Sequence, residues 1–177
     1  MMEVLPMEII VQQGSITDIE CDVAVVNLFR RVKFPGGATG AMDKALDGAI
    51  TRAIADMGFE GKLGDTLFLP SQGKVSAKEV LVIGLGDSAE FDCEAVEKVS
   101  QAAVSASVEK GFFQVATIIH GGGIGGLDII QAAQSIVKGA DEGFKKHGCE
   151  TGKLIIVEFN PEKAMSVAEA VKFTQLN

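Results

Sequence analysis

The chain has 177 residues, 47% of them hydrophobic, enough for one domain with a sizeable core; intrinsic disorder is excluded. Sixteen Lys plus Arg stand against 24 Asp plus Glu, a net charge of −8, and this excludes general nucleic-acid binding, which depends on neutralising phosphates. Cys21, Cys93 and Cys149 are odd in number and far apart, so neither a disulfide framework nor a CxxC zinc site is expected, and a reducing compartment fits.

The opening MMEVLPMEII is acidic where a secretory signal would be basic. No apolar run approaches the roughly 20 residues of a membrane span, so a cytoplasmic protein with no membrane contact is expected. Met7–Val11 is a short run rich in isoleucine and valine, read as a strand. Gly14–Asp18 is turn-like, and Val23–Asn27 is a second strand, apolar enough to be covered on both faces. Thr39 is placed to cap a helix running to about Met57, with Met42, Leu46, Ile50 and Ile54 on one face and Gly58 after its end. Thr66–Leu69 and Val80–Leu85 read as adjacent strands. Asp92 opens a helix that ends before Gly111. Phe113–Ile119 is a strand, Gly121–Gly126 a glycine-rich loop, and Leu127–Lys146 an amphipathic helix. Leu154–Val157 is the last strand, and Asn160 caps a final helix with Pro161 in its first turn. Helices alternating with apolar strands predict a three-layer α/β/α domain with a mixed, largely parallel sheet over residues 1–177.

In open α/β sheets, ligands bind where strands end and glycine loops lead into helices. Two stretches fit. The first follows Val23–Asn27 and contains Arg30, Arg31, Lys33, Gly36, Gly37 and Gly40. The second is Gly121-Gly122-Gly123-Ile124-Gly125-Gly126. Glycine lets backbone N–H groups approach a phosphate, and a helix N-terminus favours negative charge. Two helix N-termini converging on one anion, with Arg30 at the rim, is the expectation, although glycine there also serves tight turns alone.

Other polar residues read more plainly. His120 lies at a strand end without an identifiable acid or nucleophile and is expected to be a hydrogen-bonded structural residue. Asp43, Lys44 and Asp47 are read as a solvated helix face, His147 as a helix-end charge, and Cys21 and Cys149 as small buried hydrophobes. No catalytic set, metal-ligand set or cofactor is assigned.

The same stretches resemble macro domains, a fold that commonly binds ADP-ribose. Gly14-Ser15-Ile16-Thr17 resembles that family's GDIT, and Asp22–Asn27 resembles its D-A-I-V-N strand. Gly36–Met42 resembles its GGVxGAI segment, and Gly122–Gly126 its TGIxG loop. The chain departs from the pattern at Ser15, Arg30 and Gly122, which weakens an inherited ADP-ribose site and, more so, a deacylating activity. A closer resemblance is to the N-terminal domain of M17 leucyl aminopeptidases, itself macro-like. Ala41–Leu46 resembles its ALDKAL, Phe59–Thr66 its FKGKxGET, and Val80–Gly86 its VLLVGLG. In that family the two-metal peptidase site lies in a separate C-terminal domain, whose NTDAEGRL-like motif is not found in these residues.

The resemblance implies a non-catalytic module that binds a ligand or protein partner, or alternatively a nucleotide-binding protein with hydrolase activity. The ligand would be a phosphate-containing small molecule held by Asn27, Arg30, Gly36, Gly37, Gly40, Gly122, Gly123, Ile124, Gly125 and Gly126. A monomer or small homo-oligomer is expected, because the family's hexamers form largely through the catalytic domains.

Overall fold

Strand β2 (Cys21–Phe29) and strand β4 (Ala77–Gly86) lie side by side as interior strands of a six-stranded sheet. With β1 (Met7–Gln13), β3 (Thr66–Pro70), β5 (Gln114–Thr117) and β6 (Gly152–Glu158) they take the order β1-β6-β5-β2-β4-β3. All neighbours are parallel except β3, which runs antiparallel to β4. The computed structural model describes residues 7–121 and 126–176.

The apolar run of β2 shows no alternation in the sequence, yet the fold divides it with a period of two. Val23 and Val25 join Leu81, Ile83, Leu154 and Ile156 in one core. Ala24, Val26 and Leu28 join Val80, Val82, Ile155 and Val157 in a second core on the opposite face. Successive side chains of a strand point to opposite faces, so only a strand covered on both sides reads as a continuous apolar run. Burying each Val, Leu or Ile contributes roughly 1.5–3 kcal/mol, which makes β2 and β4 the most strongly held part of the sheet.

The first core is closed by α3 (Cys93–Glu109), α4 (Ile129–Lys146) and α5 (Pro161–Leu176), through residues such as Val99, Ile136, Phe144 and Val167. α3 and α4 pack closely because Gly143 carries no Cβ; one placed there would stand 2.9 Å from Val104 Cβ and 3.0 Å from Gln101 O. The second core is closed by α1 (Gly37–Ala45) and α2 (Ala49–Asp56), through Met42 and Ile50. The result is the expected three-layer α/β/α architecture.

Two helix assignments need correction. The expected helix from Thr39 to Met57 is broken into α1 and α2, because the chain turns left at Asp47 (φ 54°) and Gly48 (φ 81°). Met42, Leu46 and Ile50 stay buried across the break, so the apolar spacing is continuous while the helix is not. Asp43 holds the corner: its carboxylate accepts from Ile50 N (2.8 Å), Thr51 N (3.0 Å) and Thr51 Oγ1 (2.6 Å), which makes it a fold-defining group and not part of a solvated face. Thr39 is not the cap. Gly36 is the N-cap of α1, and Thr39 lies within its first turn.

Other boundaries follow the chemistry read from the sequence. Asp92 caps α3 through Ala95 N, and Asn160 accepts from Lys163 N at the start of α5. β5 is shorter than expected, ending at Thr117, and that early end opens the sheet beside β2.

Candidate functional site

β5 pairs with β2 only as far as Thr117 opposite Val25. Beyond it, the backbone N–H and C=O of Asn27 have no strand partner on that side, and a buried peptide group left alone is costly. Thr39 takes the missing strand's place: its Oγ1 donates to Asn27 O at 2.8 Å and accepts from Asn27 N at 3.2 Å. The divergence leaves a cavity of about 640 Å³ at the C-terminal ends of the parallel strands. Gly14 to Ile16 after β1, Asn27 to Phe29 of β2, Ile118 and Ile119 after β5, and Val157 to Phe159 at the end of β6 form its walls. Gly36, Gly37, Ala38 and Thr39 form its floor at the start of α1.

That helix start carries no side-chain cap. The first N–H groups of any helix have no intrahelical acceptor, so those of Gly37, Ala38 and Thr39 present a partial positive charge to the cavity. Gly40 lies one step further in, its N–H already bonded to Gly36 O, and a Cβ there would meet Pro35 O at 2.7 Å. Gly40 therefore shapes the turn and does not line the cavity.

The second glycine loop presents a different terminus. The N-cap of α4 is Asp128, whose Oδ1 accepts from Ile130 N and Gln131 N, both at 3.0 Å. The helix carries its own carboxylate there, so the expected convergence of two open N-termini does not occur. Gly122, Gly123, Ile124 and Gly125 lie outside the described residues. The loop's ends are tied by Leu127 N donating to Gly121 O at 3.0 Å. Gly121 (φ 80°) lines the cavity and needs glycine twice over, since a Cβ would also approach Phe91 Cε1 to 2.6 Å. Gly126 (φ 65°) is exposed.

The basic cluster also lies elsewhere than expected. Arg30 Nη1 is 3.4 Å and Arg31 Nη1 3.1 Å from the two oxygens of Asp87, at the exit of β4. Arg30 is not among the cavity-lining residues, and Lys33 is exposed. The charged residue on the wall is instead acidic: Glu158, beside Phe159, which is 75% exposed.

His120 is buried between two polar partners, with Nδ1 3.0 Å from Asn27 Nδ2 and Nε2 3.1 Å from Thr117 Oγ1. Burial pushes its pKa down to about 4, so the ring is neutral at physiological pH. His147 bonds Ser105 Oγ at 2.6 Å at the far end of α4. Burial pushes the Cys21 thiol up to about 12, which leaves it unreactive. Asp87, Thr117, Asp128 and Glu158 were not singled out in the sequence. Only Asp128 carried a local signal there, an Asx immediately before an apolar-periodic segment.

Known proteins match at two levels. The family model described as the N-terminal domain of the cytosol aminopeptidase family matches residues 25–144, more than half of the chain. A probable cytosol aminopeptidase of Alkaliphilus oremlandii is 31% identical over 94 residues, covering 53% of this chain and 19% of that protein. One of Cupriavidus taiwanensis is 35% identical over 94 residues, covering 53% and 18%. The chain thus spans about a fifth of the length of these relatives. Among solved structures, a Trypanosoma brucei macrodomain in complex with ADP-ribose superposes with a TM-score of 0.79 at 18% identity, covering 93% of this chain and 69% of that one. An Oceanobacillus iheyensis macrodomain with ADP gives 0.73 at 15% identity, covering 92% and 89%. These two establish the macrodomain-like fold, and the family-model match establishes membership: the chain belongs to the cytosol aminopeptidase family, through that family's N-terminal domain.

Proposed function

We propose that this domain is a non-catalytic module that binds a phosphate-containing small molecule in the cavity at the end of β2. The observation that carries the proposal is the uncapped N-terminus of α1, whose first residues line a cavity large enough for a nucleotide-sized ligand. The polarity of the walls adds a direction. Free N–H groups of α1 stand beside β2, while Glu158 and Phe159 stand at the end of β6, two strand positions away and so roughly 10 Å distant. A ligand with phosphate at one end and a flat, donor-bearing group at the other fits that separation. The fold neighbours solved with ADP and ADP-ribose support the same ligand class.

Asn27, Gly36, Gly37 and Gly121 are the residues we assign to binding. The non-catalytic reading rests on the state of the reactive groups: His120 has both ring nitrogens engaged, and Cys21 is held as a thiol. We further propose a cytoplasmic protein in which this domain assembles as a monomer or small homo-oligomer and regulates or recruits a partner. Calorimetric titration with ADP-ribose, ATP and inorganic phosphate tests the ligand; absence of binding at about 1 mM, a free energy of only about 4 kcal/mol, ends the pocket reading in favour of a partner module. An assay with leucyl-p-nitroanilide and added zinc or manganese tests the rest, since metal-dependent release proportional to protein contradicts a non-catalytic role.

A further inference from the structure

The contacts of His120 fix more than its burial. A hydroxyl has one proton, and Thr117 Oγ1 directs it to Ile118 O at 2.9 Å, a group that only accepts. The Thr117 oxygen must then accept from His120 Nε2, 3.1 Å away. A neutral imidazole has a single N–H, so with Nε2 protonated, Nδ1 is a bare acceptor. Asn27 Nδ2, 3.0 Å from Nδ1, therefore donates to it. The amide nitrogen of Asn27 is committed to the protein interior, and its Oδ1 falls on the side of Thr39, 3.5 Å from Oγ1. Thr39 lines the cavity, and its proton is already spent on Asn27 O at 2.8 Å. The Asn27 carboxamide oxygen therefore keeps free lone pairs, on a residue that lines the cavity.

We infer that His120 is a positioning residue: it locks the Asn27 carboxamide with its oxygen free, so an acceptor for a ligand hydroxyl or amine stands beside the α1 N–H groups that take the phosphate. The low basicity of the buried ring supports this, because a protonated ring would make both nitrogens donors and turn the carboxamide round. No carboxylate or cation lines the small internal space that His120 shares with Val25, Ser100, Thr117 and Leu154. The ligand half of the inference rests on the binding reading above, and the orientation half stands without it.

Two substitutions separate positioning from packing. In His120→Asn the new carboxamide oxygen replaces Nδ1 as the acceptor for Asn27. In His120→Gln the longer side chain replaces Nε2 and fills more of the vacated volume, but offers nothing at the Nδ1 position. Nitrogen NMR of the wild-type chain at neutral pH should show the Nε2–H tautomer, with one Asn27 side-chain proton bonded to the ring. His120→Asn should bind ADP-ribose within about threefold of wild type and His120→Gln at least about tenfold more weakly, the loss of one satisfied buried hydrogen bond. Affinity for inorganic phosphate should be the same in all three. A structural role alone predicts the reverse order, with Gln the better replacement, and that order overturns the inference. An Nδ1–H tautomer overturns it even if neither variant folds. If the wild type binds neither probe, the binding reading falls, and the ring and carboxamide resonances still decide the orientation.

Discussion

The two helix starts near the cavity look alike in sequence and differ in charge. Each follows a parallel strand through a glycine-rich segment, and either could cradle an anion. The start of α1 is capped by Gly36, which has no side chain, and its N–H groups face the cavity. The start of α4 is capped by Asp128, which supplies a carboxylate from the chain itself. A helix terminus becomes an anion site only where the protein withholds its own anion. Glycine content does not reveal which terminus that is; the residue at the N-cap does.

The largest expected effect comes from making the first terminus a copy of the second. Gly36 has an extended backbone (φ −113°) and open space around its Cβ position, so aspartate fits there. Gly36→Asp should cap α1, raise stability by a few tenths of a kcal/mol, and weaken ADP-ribose binding by about 100-fold. Calorimetry and thermal melting of the same sample check both signs; stronger or unchanged binding breaks the comparison.

An effect of similar size is expected in the pH dependence of stability, from the interior beside the α4 loop. His120 is held neutral down to about 4 by burial, against an ordinary value of 6.5. Between these values the unfolded chain takes up a proton that the fold refuses, so stability is complete above about 6.5, falls as pH drops towards 4, and changes no further from this group below that. The gap corresponds to at most about 3 kcal/mol. Urea melts at stepped pH should show this slope in the wild type and lose it in His120→Asn.

How much of this was legible in the sequence depends on whether the signal was local. The caps Asp92 and Asn160 and the both-faces-covered strand β2 are set by nearest neighbours and apolar pattern, and the structure agrees with them. The break at Asp47-Gly48 was hidden because the buried spacing of Met42, Leu46 and Ile50 runs through it. The lining of the cavity was half legible. Asn27, Gly36 and Gly37 line the cavity, since strand ends and glycine loops mark it. Arg30 stood out as positive charge in an acidic chain, but Asp87, 57 residues away, takes up its guanidinium. Glu158 could not be placed without knowing that β6 lies between β1 and β5.

Smaller effects sharpen the contrast. Asp128→Ala removes the cap of α4 and should cost about 1 kcal/mol, a drop in melting temperature of roughly 2–4 °C, with little change in ligand affinity. Arg30→Ala should change ADP-ribose affinity by less than about threefold, because the partly exposed pair with Asp87 contributes at most about 1 kcal/mol and stands apart from the cavity. A tenfold loss would return Arg30 to the site.

The most direct test observes both helix starts in one experiment, by following backbone amide resonances as ADP is added to the full chain. Large, saturable shifts are expected at Gly37, Ala38 and Thr39, and none beyond background at Ile130 and Gln131, whose N–H groups are already bonded to Asp128. Saturable shifts confined to Ile130 and Gln131, with α1 unmoved, would contradict it.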